Sequence, residues 1–376
     1  MADAAGNRTP GTATGGYAGL YGQGCVGNDA HAALKGVESH MARWSDDSFT
    51  RALGVLGGTA ALGLIAGCGA AATGPGANYP SGPVTITAPA DPGSGWDTTA
   101  RAIVQTLEQE DLSDSPLPVQ NRPGGDGCAW MTQMVESHAG ADDQIAMTSM
   151  ATQSNEARGL CAYSVDDVTM LSTLIVEHYI IVTAADSEYE TLDDLLDAMN
   201  SDPGGVPIGA GGDDQLPLAL TVMESGGDPS AINFVSYEGG GAQNTALLNG
   251  DIAVAVAGVS EFRAQIEAGE LRALGTMAEE PLEAPLDDVP LVTDLGYDVT
   301  IANWRGVYGP PEMPQEAVDY WQAKLHELTE TETWQQLVAQ NQWGELVLGG
   351  DEMLEYITEA GELVDLGVQE TAGDQG

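Results

Sequence analysis

The chain has 376 residues, with 57 Asp plus Glu against 11 Lys plus Arg, a formal net charge of -46, 43% hydrophobic residues, and only 4 Cys, 5 His and 3 Phe. So few bases cannot displace the counterions of a polyphosphate, which excludes nucleic acid as a partner, and the cysteine count excludes a zinc framework or a disulfide scaffold. The apolar residues fall in periodic runs able to offset chain entropy, so the acidity reads as a solvating surface that keeps a monomer soluble in concentrated salt, and not as disorder.

Residues 1–40 are rich in Gly and Ala and carry no periodic apolar face, and are read as an extension ahead of a true start at Met41. Arg43 and Arg51 then flank a polar lead to Ala52–Ala66 (ALGVLGGTAALGLIA), an apolar stretch of 15 residues. Crossing a bilayer takes about 20 apolar residues, so this length suits the core of a signal peptide over 41–67. The run Ile65-Ala66-Gly67-Cys68 resembles a lipobox, which makes Cys68 the lipid-bearing first residue of a mature chain of 309 residues. Residues 68–82 are small and polar with interspersed prolines, the composition of a flexible tether.

Past the tether, strand and helix signals alternate. Val84–Ala88 is a β-branched run, and Ala100, Ile103, Val104 and Leu107 follow Asp97 at helical spacing. Leu117–Gln120 reads as a strand, Cys128–Ser137 as a helix, Gln144–Ser149 as a strand and Val168–Thr183 as a long extended crossing. Thr191 with Asp194 outlines a capping box ahead of Leu192, Leu195, Leu196 and Met199, which predicts a helix there. Strands are predicted over Val206–Gly209, Ile232–Tyr237, Ile252–Ala257 and Leu271–Met277, with helices near 215–225, 241–249 and 260–268. Val318, Trp321, Leu325 and Leu328 mark a C-terminal helix, with further helical pattern to about residue 365. Alternation of this kind predicts an α/β fold with mostly parallel sheets and helices on both faces.

Ligands of open α/β sheets sit beyond the carboxyl ends of the strands, where loops lead into helix N-termini. Four loops have that position: Asp91-Pro-Gly-Ser-Gly-Trp-Asp97, Thr148-Ser149-Met150, Gly209-Ala-Gly-Gly-Asp-Asp214 and Ser236-Tyr-Glu-Gly-Gly-Gly241. Their glycines allow close backbone approach, and the N–H groups of the following helix favour an anion. Asp97 and Asp214 are expected to be helix N-caps, and Trp96 and Trp304 are each either core or cleft residues.

Signals of catalysis are weak. Gly93-Ser94-Gly95 lacks the spacing of G-x-S-x-G, neither the 93 loop nor the 209 loop completes G-x-G-x-x-G, and the mature chain has a single lysine, Lys324. His138, His178 and His326 lie far apart in sequence. An exported serine hydrolase using Ser94 or Ser149 is the competing reading, and it needs a histidine beside one of those serines. For Cys128 and Cys161 the sequence leaves open a disulfide or two buried thiols.

Six segments, in order, carry a family resemblance. They are YPSGPVTITAPADPGSGWDTTARAIVQTL from Tyr79, VQNRPGG from Val119, IIVTAADSEYETLDDLLDAM from Ile180, SYEGGGAQNTALLNGDIAVAV from Ser236, AGELRALGT from Ala268 and WRGVYGPPEMP from Trp304. Together they resemble the substrate-binding proteins of tripartite tricarboxylate transporters, the Bug receptors, over roughly residues 79–345. The resemblance implies a periplasmic-binding-protein-like Venus flytrap, two α/β lobes around a central ligand cleft. Lobe one would be 79–180 plus 301–376 and lobe two 181–300.

It also implies an extracytoplasmic receptor, not an enzyme, that passes a small carboxylated solute to a two-component integral-membrane permease. The receptor would be a monomer, touch the membrane through the lipid on Cys68 alone, and need no cofactor or metal. A receptor-like sensor domain is the alternative use of such a fold. Carried onto matching positions, the ligand loop of lobe one is Pro92, Gly93, Ser94, Gly95, Trp96 and Asp97, with Thr148 and Ser149 on a second turn. Lobe two contributes Gly211, Gly212 and Asp213, then Tyr237 and Gly239. One departure stands out. Where the family usually has small hydroxyl residues, residues 211–215 read Gly-Gly-Asp-Asp-Gln. Those aspartates repel a tricarboxylate unless they only cap the helix, a cation comes with the ligand, or the ligand bears an ammonium group.

Overall fold

The structure is a computed structural model that describes residues 79–371 apart from Asp114 and Glu238. The N-terminal extension, the signal-peptide core, Cys68 and most of the tether therefore lie outside the described residues. Among those described, no helix is long and apolar enough to cross a membrane.

The first half of the chain builds β1 (Thr85–Ala88), α1 (Gly95–Gln109), β2 (Val119–Asn121), α2 (Cys128–Ser137), β3 (Gln144–Ser149) and α3 (Met150–Ala157). Strand β4 (Thr169–Ala184) follows, and then α4 (Leu192–Ser201), β5 (Pro207–Gly209), α5 (Gln215–Glu224), β6 (Asn233–Val235), α6 (Gly240–Asn249), β7 (Val254–Gly258), α7 (Val259–Glu267) and β8 (Leu271–Thr276). The chain ends in β9 (Ala302–Gly309), α8 (Gln315–Thr329), α9 (Glu332–Asn341), β10 (Trp343–Glu345) and α10 (Gly350–Thr371). The predicted elements appear in their predicted order. The capping box at Thr191 is formed, with the Asp194 N–H donating to the threonine hydroxyl and the Asp194 carboxylate accepting the Thr191 N–H.

The strands run β2-β1-β3-β9-β4-β7-β5-β6, with β8 and β10 also paired to β4. Pairs β1–β2, β1–β3, β5–β6 and β5–β7 are parallel, as the β-α alternation predicts. The expectation of mostly parallel sheets is corrected by the centre of the molecule. There β9 enters antiparallel between β3 and β4, and β4 is antiparallel to every one of its four partners. The reason is that β9 returns from the second half of the chain and enters the sheet from the opposite end. Its run ANWRGVYG is broken by two polar side chains, so periodicity did not reveal it as a strand.

Strand β4 has residues buried on both faces along most of its length, as a central strand must. It changes partners midway: Thr169–His178 pairs with β9, whereas Tyr179–Ala184 pairs with β7 and β8. One core lies under the first half, around Ile86, Ile103, Leu107, Ile145, Trp321 and Trp334. A second core joins elements of both halves. It holds Tyr179, Leu195, Ile208, Leu218 and Trp304, together with Met353, Tyr356, Ile357 and Val364 of α10. Helix α10 rests on α3 and on α5. Trp304, read from sequence as core or cleft, is core, fully buried with its Nε1–H donating to Gln153 at 2.9 Å.

Candidate functional site

The four turns converge on one cavity of about 50 Å³ between the two halves. From the first half, Ser94, Gly95, Trp96 and Ser149 line it; from the second, Gly211, Gly212, Asp213, Tyr237 and Gly239 do. Gly93, Asp97 and Thr148 are not part of this lining. Thr148 is fully buried, with its hydroxyl donating to Thr152 at 3.1 Å.

Two of the lining serines are helix caps. The Ser94 hydroxyl accepts the Asp97 N–H at 3.3 Å at the start of α1, and the Ser149 hydroxyl accepts the Ala151 N–H at 3.1 Å at the start of α3. The expectation that Asp97 is an N-cap is thus corrected: Ser94 caps α1, and Asp97 sits in its first turn. Its carboxylate accepts the Gly93 N–H at 3.0 Å and bonds Arg101 and Asn121, so it holds the loop from behind. Burial raises the Asp97 pKa, but these donors outweigh it and leave the group below its usual range. Asp214 does hold the N-cap position of α5, but its side chain makes no capping bond and folds back to accept the Gly211 N–H at 3.2 Å.

Sequence reading missed the residues that set the charge of the cavity. Alternation along β9 places Asn303 and Arg305 on its cavity side, while Trp304 faces the core. Arg305, 3% exposed, forms a buried ion pair with Glu177 of β4 and stands 3.9 Å from Glu261 of α7. Two glycines make this arrangement fit. A Cβ on Gly95 would fall 1.9 Å from Arg305 Nη2, and one on Gly258 would fall 2.4 Å from the Glu177 carboxyl carbon. Glu177 also accepts the Ser260 N–H at 2.8 Å, and Glu261 accepts the Gly240 N–H at 2.6 Å.

Asp126 reaches across the cavity, accepting the Gly212 N–H at 3.1 Å while Asn155 supports it at 3.2 Å. Asp213 accepts the Asn303 amide at 2.6 Å and a short bond from the Tyr179 hydroxyl. Burial, reinforced by the neighbouring Asp213, pushes the Asp126 carboxyl above its usual range; burial also raises Asp213 itself. Asp214 is raised by burial and then by Asp213, Glu261 and Asp126, and Glu261 reaches about 7 through burial and the nearby Glu177. A legible signal for Arg305 did exist: it is one of seven bases after Cys68, and it lies in a mainly apolar run, where an unpaired charge is seldom found. Glu177, Glu261 and Asp126 gave none in a chain so rich in acids.

Neither Ser94 nor Ser149 is hydrogen-bonded to a histidine among the described residues; both hydroxyls serve their own helices. Nor, among those residues, is any group of three or more His, Cys, Asp or Glu arranged to hold a metal ion. Cys128, the first residue of α2, is joined by a disulfide to Cys161, which settles the alternative left open by the sequence.

Two α/β halves around a cavity rimmed by helix N-termini define a periplasmic-binding-protein-like fold of the Venus-flytrap type. The chain belongs to the TctC family, the tripartite tricarboxylate transporter family receptors, whose family model matches residues 100–360. It is 26% identical over 239 residues to a UPF0065 protein in the TAR-I ttuE-ttuC' intergenic region of Agrobacterium vitis, covering 63% of this chain and 68% of that one. In fold it is similar to the periplasmic binding protein BugD, with a TM-score of 0.70 at 16% identity over 78% of this chain and 99% of that one. It is similar also to MatC from Rhodopseudomonas palustris with bound malate, with a TM-score of 0.66 at 18% identity over 76% of this chain and all of that one.

Proposed function

We propose that this protein is an extracytoplasmic solute-binding receptor that captures a small carboxylated solute in the cavity and delivers it to a two-component integral-membrane permease. The observation that carries this reading is the start of α1. Gly95 and Trp96 both line the cavity at a helix N-terminus, where unpaired amides and the helix dipole favour an anion, and the Ser94 and Ser149 hydroxyls stand at the same end. The bound malate of MatC supports a carboxylate as ligand. Lobe one is then 79–180 plus 301–376 and lobe two 181–300, a division supported by the exchange of β4 partners between His178 and Tyr179. Gly93, Asp97 and Thr148 act by shaping the ligand loops, and Gly211, Gly212, Asp213, Tyr237 and Gly239 close over the solute. The receptor works as a monomer, held at the outer face of the cell membrane by a lipid on Cys68.

The test is a thermal-shift and calorimetric screen of the mature chain in high salt against dicarboxylates, tricarboxylates, aromatic acids and acidic amino acids. A ligand that binds only the native state raises the melting temperature by mass action. Saturable binding of one carboxylate class is the expected result. Indifference to every acid in the panel overturns the reading.

A further inference from the structure

Among the residues that line the cavity, four carboxylates (Asp126, Asp213, Asp214 and Glu261) face a single cation, Arg305. That cation is already engaged, by Glu177 behind it and Glu261 beside it. Three amides of the second half are engaged as well, and by the protein's own acids. Gly211 donates to Asp214, Gly212 to Asp126 and Gly240 to Glu261. A second carboxylate on the ligand would therefore meet neither a free guanidinium nor those amides. It would meet carboxylates.

Asn303 gives an independent indication. It is 6% exposed, lines the cavity, and is oriented by its amide nitrogen, which donates to Asp213 at 2.6 Å. The carbonyl Oδ1 of the same side chain is left without a donor. Buried acceptors in native proteins are nearly always paired, so this one lacks a donor from within the fold. An unpaired acceptor beside Asp213 and Asp214 calls for a group that brings several N–H bonds and a positive charge, which is the description of an ammonium.

We propose that the ligand is an amino-carboxylate: its carboxylate lies on the start of α1, and its ammonium lies opposite, between Asn303 Oδ1 and the carboxylates of Asp213 and Asp214. The inference rests on the receptor reading above and narrows its substrate class. Binding needs no metal, because the ammonium itself neutralises the acidic wall, and charge-assisted bonds to a desolvated carboxylate are the stronger kind of hydrogen bond. The specificity follows from the same groups: an amine-free acid leaves Asn303 Oδ1 unpaired and faces like charge.

Calorimetry on the intact mature chain in high salt tests this with matched pairs: alanine against propionate, aspartate against succinate and glutamate against glutarate. The expected result is that at least one amino acid binds about ten-fold or more tighter than its amine-free partner, a factor of ten being one good charged hydrogen bond. A dicarboxylate that binds as tightly as its amino counterpart overturns this inference and leaves the receptor reading intact. Failure of all six ligands and of the wider acid panel overturns the receptor reading itself. Asp213→Asn and Asp214→Asn, both isosteric, are expected to lower amino-acid affinity about ten-fold and to narrow the gap within each pair. Folded variants of both with unchanged preference overturn the placement of the ammonium. Should neither fold, the wild-type pairs decide alone.

Discussion

Arg305 lies directly over Gly95: a Cβ on residue 95 would come within 1.9 Å of Nη2 and 2.3 Å of Cζ. The start of α1 and the centre of β9 can meet only because one of them has no side chain. Gly95→Ala is therefore expected to cost about 1–3 kcal/mol in chemical denaturation, as overpacking does, and to abolish ligand binding by displacing the first turn of α1. An alanine variant with native stability and affinity would contradict this placement.

Glu177 is fully buried and holds Arg305 across neighbouring strands. Removing one member of such a pair leaves the other charge buried and underpaired, which costs roughly 3–5 kcal/mol. Glu177→Gln should lower stability by that order, while the double variant with Arg305→Met should recover much of the loss. A double-mutant cycle on urea midpoints measures both.

Ser94 both caps α1 and lines the cavity. Ser94→Ala is expected to lose about 1 kcal/mol of stability from the missing cap as well as ligand affinity. Thermal unfolding with and without ligand separates the two effects. A variant that keeps full affinity for every acid would misplace the site.

The pH dependence follows from acids whose titration burial shifts upward. Glu261 and Glu156 both titrate at about 7 in the folded protein against a usual 4.5, each chiefly through burial. The folded state thus binds more protons than the unfolded state between those values, so the stability from these groups is full below about 4.5, falls as the pH rises, and levels off above about 7. Asp126, Asp213 and Asp214 act with the same sign. His178, whose buried imidazole is held low, acts oppositely but as a single group. The melting temperature should fall between about pH 5 and 7, and Glu261→Gln should flatten the fall. A profile that rises through this range contradicts the charge arrangement.

The Cys128–Cys161 bond closes a segment with a sequence separation of 33 residues that includes β3 and α3. Closing a loop of that size in the unfolded chain is worth about 3–4 kcal/mol. Reduction, or a double serine variant, should lower the urea midpoint accordingly, and a mass shift on alkylation after reduction checks the bond directly.

Much of the frame could be read from the sequence because it rests on local chemistry. β-branched runs mark β1 and β3, the Leu192–Met199 spacing marks α4, and Thr191 with Asp194 marks its start. The glycine turns also pointed to the cavity, since close approach of backbone to a ligand needs them. What stayed hidden depends on distant partners. Helix α3 (MATQSNEA) has no apolar period and exists because Ser149 caps it and α10 covers it. The strand character of β9 and the pairing of Arg305 with Glu177, 128 positions earlier in the chain, become visible only when the sheet is assembled. Asp97 and Asp214 misled for the opposite reason: an aspartate near a helix start can cap it, brace the loop or turn back on a glycine, and only geometry tells which.

Strand β4 runs without a break from one half of the molecule to the other, and β9 lies along the part of it that precedes the exchange. Receptors of this shape open and shut, but here the connection is a hydrogen-bonded ribbon and not a slack linker. Any opening of the cleft would twist that ribbon and strain its ladder, so displacement would meet a restoring torque that grows with angle. The protein is built less like a door on a pin than like a pair of sprung tongs cut from one strip, whose jaws part only as far as the metal will flex.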